Sequence, residues 1–131
     1  MTALTPEMIV LGWSMILFLV HMAVQAAPAL KERGAAFNAG PRDDPRPLSA
    51  MGGRCQRAFD NFKETWPLFI ALALGLAITH RSGGTAATGA WIWLGGRIAY
   101  LPLYILGIPY LRSVAYGVAA VGLVMMAVRL F

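Results

Sequence analysis

One stretch of the sequence, "RAFDNFKETWP" at residues 57–67, carries a polar stripe of a kind that binds charged groups. Its members are Arg57, Asp60, Asn61 and Glu64, at relative positions i, i+3, i+4 and i+7. This spacing places them on one face of an α-helix. Guanidinium, amide and carboxylate groups on one face form ion pairs and hydrogen bonds, so the stripe predicts a polar binding site.

The stripe runs directly into an apolar segment that is too short to cross a membrane without it. The uncharged part, residues 65–79, covers only about 23 Å at about 1.5 Å per helical residue, against a hydrocarbon core of about 30 Å. Part of the stripe must therefore lie at membrane depth. Ionisable side chains at that depth face the protein interior or a water-filled cavity.

Two further polar stripes follow on later apolar segments. They are Arg97 with Tyr100 and Tyr104, and Arg112 with Ser113 and Tyr116. Taken singly, the tyrosines fit core aromatics and Arg112 fits an interfacial anchor. Three stripes at one end of the molecule instead favour a buried polar site.

Depth along the helices suggests a partner for Glu64. Glu64 lies about 12 residues from the start of its span and Arg97 about 11 from the end of its own at Pro109, which places both at about 17 Å depth. Because ionisable groups in a membrane pair with one another, we expect an ion pair between Glu64 and Arg97. Gly95 and Gly96 would let the two helices approach closely.

The composition points to a membrane protein. Hydrophobic residues make up 58% of the chain, charged residues 13%, and the mean hydropathy is +0.61, which is unusual for a soluble protein. We predict spans at about residues 7–30, 55–79, 86–108 and 111–131, with a long loop at about 31–54. The predicted fold is a single all-α domain over residues 1–131, an integral membrane four-helix bundle with left-handed up-down topology. A signal peptide is disfavoured for the first span because no basic segment precedes it.

Basic residues are concentrated on one side of the predicted bundle. Those near the long loop and the last turn are Lys31, Arg33, Arg42, Arg46, Arg54, Arg57, Lys63 and Arg112, against Arg81 and Arg129 on the other side. Since basic residues favour the cytoplasmic side, the long loop and the polar site are predicted to face the cytoplasm and both termini to be extracytoplasmic. Trp91 and Trp93 would form an aromatic belt on the far side. The net charge of +5 does not indicate a nucleic-acid partner, because the basic residues are not gathered on a soluble module.

The sequence lacks the motifs of several enzyme classes. It has one cysteine, Cys55, and two isolated histidines, His21 and His80, so no zinc-binding cluster is predicted. Neither a phosphate-binding loop nor a nucleotide fingerprint is present. No metal site is therefore expected.

Three motifs, in order along the chain, resemble one family. "RAFDNFKETWPLF", "GRIAYLPLY" and "LRSVAYG" are similar to motifs of the membrane-associated proteins in eicosanoid and glutathione metabolism (MAPEG), a family that includes microsomal glutathione transferases and microsomal prostaglandin E synthase. The four-span layout matches over the whole chain. The resemblance implies a homotrimer that binds glutathione, as a cosubstrate, in a cytoplasm-facing cleft between neighbouring subunits. Its other partners would be membrane lipids and a hydrophobic small-molecule substrate.

The resemblance also assigns residues to the glutathione site. They are Arg57, Asn61 and Glu64 on the second helix, Arg97 and Tyr104 on the third, Arg112, Ser113 and Tyr116 on the fourth, and Lys31 or Arg33 at the end of the first. The two carboxylates and the ammonium group of glutathione suit arginine and glutamate partners. A thiol with a reference pKa of about 8.5 is a better populated nucleophile beside a fixed cation. Arg112 is expected to fill that catalytic role, with Ser113 as the alternative.

Three residues depart from the prostaglandin synthase branch of the family. Phe59 and Tyr100 stand where that branch has histidines, and Asp60 stands where it has an arginine. An acid at position 60 would repel a carboxylate of glutathione. Two functions therefore stay open. One is a glutathione-dependent transferase or peroxidase acting on hydrophobic electrophiles or lipid hydroperoxides, and the other is a non-catalytic membrane protein of the same fold that binds lipid or serves as an accessory subunit.

Overall fold

The computed structural model describes residues 3–131, and all regular structure in that range is helical. The helices are α1 (Pro6–Arg33), α2 (Ala35–Ala39), α3 (Ala50–Ile78), α4 (Thr85–Ile105) and α5 (Leu111–Leu130). Four of them have 20 to 29 residues, which gives helices roughly 30 to 44 Å long. The fifth, α2, has only five residues.

The segment predicted as one long loop, residues 31–54, is mostly helical. Helix α1 continues to Arg33 and ends at Gly34, whose φ of 85° is readily adopted only by glycine. Helix α3 begins at Ala50, where the Ser49 side chain caps it by accepting from the Gly52 amide over 3.2 Å. The non-helical part is therefore Gly34 and residues 40–49, and the polar stripe lies well inside α3.

Two of the long helices are apolar and long enough to cross a membrane. They are α1 and α5, with mean hydropathies of 1.9 and 1.8 over their most apolar windows. Only 33% and 28% of the residues in those windows are buried within the chain, so both helices present mostly apolar surface outward. Such surface is suited to contact with lipid or with another subunit.

Helices α4 and α5 form an antiparallel hairpin whose backbones touch. A Cβ atom at Gly89 would lie 2.6 Å from the carbonyl oxygen of Gly122, and one at Gly96 would lie 2.8 Å from that of Ala115. Gly95, in contrast, has open space beside it. Of Gly95 and Gly96, at which a close approach to the second span was expected, only Gly96 makes a close contact, and that contact is with α5.

An aromatic core fills the space between α1, α3 and α4. The rings of Phe69 and Trp93 stack with centroids 3.9 Å apart, and the Trp66 indole N–H donates to Ser14 Oγ over 2.9 Å. Trp93 is completely buried, whereas Trp91 is about half exposed. The predicted aromatic belt is thus wrong for Trp93, since its position on α4 faces the other helices.

Candidate functional site

A cavity of about 280 Å³ opens where α3, α4 and α5 meet. It is lined by Asn61, Tyr100, Tyr104, Arg112, Ser113 and Tyr116. Five of the nine residues predicted for the site are in this group, and they come from all three predicted stripes. The short turn at residues 106–110 returns the chain so that the first turn of α5 faces the last turns of α4. This is why Arg112 and Ser113 meet the two tyrosines.

Arg97 lies behind the cavity as an enclosed cation. Its side chain is only 1% exposed, and its Nη1 donates to Asn61 Oδ1 over 2.8 Å. The guanidinium carbon also lies 4.5 Å from the centroid of the Tyr100 ring and 5.3 Å from that of Phe62, distances typical of cation–π contacts. Within residues 3–131, its Nε and Nη2 are buried without a hydrogen-bond partner. The positive charge is therefore fixed in position, and two of its nitrogens can still donate hydrogen bonds to a ligand.

The expected ion pair between Glu64 and Arg97 does not form within the chain. Arg97 reaches the amide of Asn61 instead, and Glu64, one turn further along α3, is exposed. The single ion pair within the described part of the chain joins Asp60 and Lys63 over 3.0 Å. Equal depth along two helices was thus not enough to predict an ion pair, because Glu64 is exposed at that depth.

Tyr104 connects two further arginines at the cavity mouth. Its hydroxyl accepts from Arg57 Nε over 3.1 Å, and its ring lies 4.8 Å from the guanidinium carbon of Arg112. A tyrosine hydroxyl that accepts in this way keeps its own proton for donation. Arg57, Arg97 and Arg112 together make the cavity and its surroundings electropositive, which suits carboxylate or thiolate groups of a ligand.

Lys31 and Arg33 lie away from this cavity in the single chain. Lys31 lines a different groove, between the end of α1 and the start of α3, together with Pro28 and Met51. The Nε of Arg33 donates to the carbonyl oxygen of Arg46 over 2.6 Å. Neither side chain is therefore brought to the other predicted site residues by the fold of one subunit.

Two residues near the cavity were not among the predicted site residues. Tyr100 lines it, and its i+3 spacing from Arg97 already placed it on the right face of α4. Arg54 binds the end of α4, where its Nη1 donates to the carbonyl oxygen of Ile105 over 3.4 Å. No sequence pattern marked Arg54, because it was assigned to a loop.

The cavity has no metal-binding character. Across residues 3–131 no three histidine, cysteine or acidic side chains are close enough together to hold a metal ion. The lone cysteine, Cys55, is buried near the start of α3. The chemistry available is that of guanidinium, hydroxyl and amide groups.

Comparison with protein families gives one assignment. The model of the MAPEG family matches residues 10–131, a range that contains every residue of the cavity. No curated protein matches the chain.

Proposed function

The chain belongs to the MAPEG family, the membrane proteins of glutathione and eicosanoid metabolism, and on this premise we propose that it is a glutathione-dependent transferase or peroxidase. Its second substrate would be a hydrophobic electrophile or a lipid hydroperoxide that reaches the cavity from the bilayer. The observation that carries the proposal is the set of three arginines around the cavity, with Arg97 enclosed and Arg57 and Arg112 joined by Tyr104.

The charges around the cavity suit glutathione in particular. Its two carboxylates need cationic partners, and guanidinium groups bind carboxylates through two parallel hydrogen bonds. Arg97 has two buried nitrogens without hydrogen-bond partners in the described chain, and Arg57 donates only from its Nε, to Tyr104. Asn61 and Tyr116 add neutral hydrogen-bonding groups beside them. In this proposal Arg57, Asn61, Arg97, Tyr104 and Tyr116 position the peptide.

The thiol of glutathione would react at Arg112. A fixed cation stabilises the thiolate, so more of the thiol is ionised at neutral pH than its reference pKa of about 8.5 allows. In a conjugation, the thiolate adds to an electrophilic carbon, which then takes up a proton, or displaces a leaving group from it, and a carbon–sulfur bond forms. In a reduction, the thiolate attacks the terminal oxygen of the hydroperoxide, the oxygen–oxygen bond breaks, the alcohol leaves with a proton, and the resulting sulfenic acid condenses with a second glutathione to give the disulfide and water. Ser113, the next residue on α5, is the alternative donor to the sulfur.

We further propose that all four long helices cross the membrane and that three copies of the chain assemble around shared clefts. Two exposed polar residues support this. Glu64 is exposed in the single chain, and Tyr116 is 41% exposed although it lines the cavity. A neighbouring subunit would close the cleft beside both residues, without a fixed partner for Glu64, and would contribute its Lys31. The side rich in basic residues would face the cytoplasm, and both termini would be extracytoplasmic.

A second candidate function rests on Asp60. This carboxylate lies on the same helix face as Arg57 and Asn61, and its ion pair with Lys63 leaves it about half exposed. Negative charge there weakens the case for a dianionic peptide. The alternative is a non-catalytic MAPEG protein that binds lipid or serves as an accessory subunit.

The two candidates are separated by the thermal stability of the detergent-purified protein with and without millimolar reduced glutathione. We expect glutathione to raise the unfolding temperature, because a ligand that binds the folded state alone stabilises it. Arg57→Ala, which removes one of the residues proposed to position the peptide, should lose most of this increase, and Arg129→Ala, which removes the same charge at the far end of α5, should keep it. No increase in the parent protein, under conditions where added lipid gives one, would favour the non-catalytic function.

A further inference from the structure

Three arginines gather around the short helix α2, just beyond the end of α1 and away from the cavity lined by Asn61 and Arg112. The guanidinium carbon of Arg46 lies 4.4 Å from the centroid of the Phe37 ring, and that of Arg33 lies 5.8 Å from it. Arg42 binds the next residue, donating from Nε and Nη2 to the carbonyl oxygen of Asn38 over 2.9 and 2.6 Å. We refer to Arg33, Arg42 and Arg46 as the arginine cluster.

No carboxylate forms an ion pair with the arginine cluster within the part of the chain that the structure describes. Asp43 and Asp44 are in the same loop, yet neither lies within 4.0 Å of an arginine. Glu32, beside the cluster in sequence, instead accepts from the Ser49 amide over 2.7 Å. The guanidinium groups bind backbone carbonyls and the ring of Phe37, and Nη1 of Arg42 has no protein acceptor. The three guanidinium groups therefore have no ion-pair partner in the described chain, and Arg42 keeps one nitrogen free to donate to an anion.

An apolar groove starts at the cluster and runs down α1. Its volume is about 490 Å³, with Arg33 and Arg42 at one end and Ala23, Ala26, Ala27 and Leu30 along its wall. The wall from Leu30 to Ala23 extends about 10 Å along the helix axis. The small side chains of the alanines leave this groove open, and they lie on α1, one of the two helices that are apolar and long enough to cross a membrane.

We propose that this groove holds an anionic phospholipid of the cytoplasmic leaflet. The phosphate would be bound by Arg33 and Arg42, and one acyl chain would lie along the alanines and Leu30. A basic pocket at the cytoplasmic end of a membrane helix is the usual setting for an acidic headgroup, and the apolar wall below it suits a lipid better than a soluble anion. The proposal depends on the membrane placement proposed above, but not on glutathione binding.

The test compares two lipids with the same acyl chains in mixed detergent micelles of the full-length protein. We expect dioleoylphosphatidylglycerol to raise the unfolding temperature at a lower mole fraction than dioleoylphosphatidylcholine. Arg42→Gln should require about fivefold more phosphatidylglycerol for the same effect, as expected for one basic residue at a membrane surface. Arg129→Gln, which removes the same charge at the far end of α5, should leave the requirement unchanged.

A second variant tests the apolar wall. Ala26→Phe fills the groove and keeps every charge, so it should also weaken the effect of phosphatidylglycerol while the unfolding temperature without lipid stays close to that of the parent. Equal effects of the two lipids, or equal losses in Arg42→Gln and Arg129→Gln, would overturn the proposal. So would a full stabilising effect of inorganic phosphate that depends on Arg42, because the site would then take a soluble anion.

Discussion

Arg97 on α4 and Asn61 on α3 are joined by a hydrogen bond of 2.8 Å from the guanidinium Nη1 to the amide Oδ1. The arginine is almost completely buried, so this neutral amide is its one hydrogen-bonding side-chain partner among the described residues. A cation held by an amide keeps its full charge for a ligand, whereas a carboxylate partner would neutralise it. The electropositive character of the cavity depends on this choice of partner.

Removing the amide should therefore weaken the fold. Asn61→Ala leaves the buried guanidinium of Arg97 without its hydrogen bond, and hydrogen bonds to charged groups contribute about 1.5–3 kcal/mol. We expect the free energy of unfolding in detergent to fall by about 2 kcal/mol. Asn61→Asp is the control, because a carboxylate at the same place still accepts from Arg97 and should restore stability. Equal losses in the two variants would show that the hydrogen bond is not what matters.

Removing the Glu64 carboxylate, unlike removing the Asn61 amide, should leave the stability of the fold almost unchanged. Because its side chain is exposed and makes no ion pair in the chain, Glu64→Ala should change the free energy of unfolding by no more than about 0.5 kcal/mol without glutathione. Thermal unfolding of Glu64→Ala beside Asn61→Ala measures this directly. A loss for Glu64→Ala as large as that for Asn61→Ala would mean that Glu64 holds Arg97 after all, through a neighbouring subunit.

The hydroxyl of Tyr104 should matter for binding more than for folding. Tyr104→Phe keeps the ring beside Arg112 but frees Arg57 from its hydrogen bond of 3.1 Å. The lost bond involves a charged group, so we expect glutathione affinity to fall about tenfold, as measured by calorimetric titration in detergent. Tyr110→Phe removes a hydroxyl from an exposed tyrosine and should have no effect. If Tyr104→Phe bound glutathione with unchanged affinity, the hydrogen bond between Arg57 and Tyr104 would have no role in the glutathione site.

Neighbouring glycines on α4 should respond differently to the same substitution. Gly96→Ala places a methyl group against the α5 backbone at Ala115, and such overpacking costs about 1–3 kcal/mol. Gly95→Ala meets open space and should be neutral or stabilising by up to about 1 kcal/mol, since alanine favours helix over glycine. Thermal unfolding of the two variants compares them. A larger loss for Gly95→Ala would contradict the hairpin geometry.

Helical spacing placed the members of each polar stripe on one face of their own helix. That the three stripes meet was expected from their lying at one end of the molecule, and the cavity is lined by members of all three, Asn61 on α3, Tyr104 on α4, and Arg112, Ser113 and Tyr116 on α5. The spacing also predicted that the segment at residues 57–67 is helical, which the structure confirms.

Contacts between helices were harder to predict from sequence. The pair of Glu64 and Arg97 was wrong because matching depth does not fix how each helix is rotated about its axis. Trp93 was predicted at the membrane surface for a related reason. The helical period of the sequence does not tell which face of α4 the other helices cover. The helical parts of residues 31–54 were missed because helix caps at Gly34 and Ser49 are local features that composition does not reveal.

In the proposed function, Arg112 holds glutathione as a thiolate. The most direct test of this role is the ultraviolet absorbance of the thiolate during titration of the purified protein with glutathione at neutral pH. We expect the parent protein and Arg129→Ala to develop thiolate absorbance that saturates with glutathione, and Arg112→Ala to bind the peptide with little of this signal. Saturable binding by the parent protein without thiolate absorbance, or a signal unchanged in Arg112→Ala, would contradict the claim.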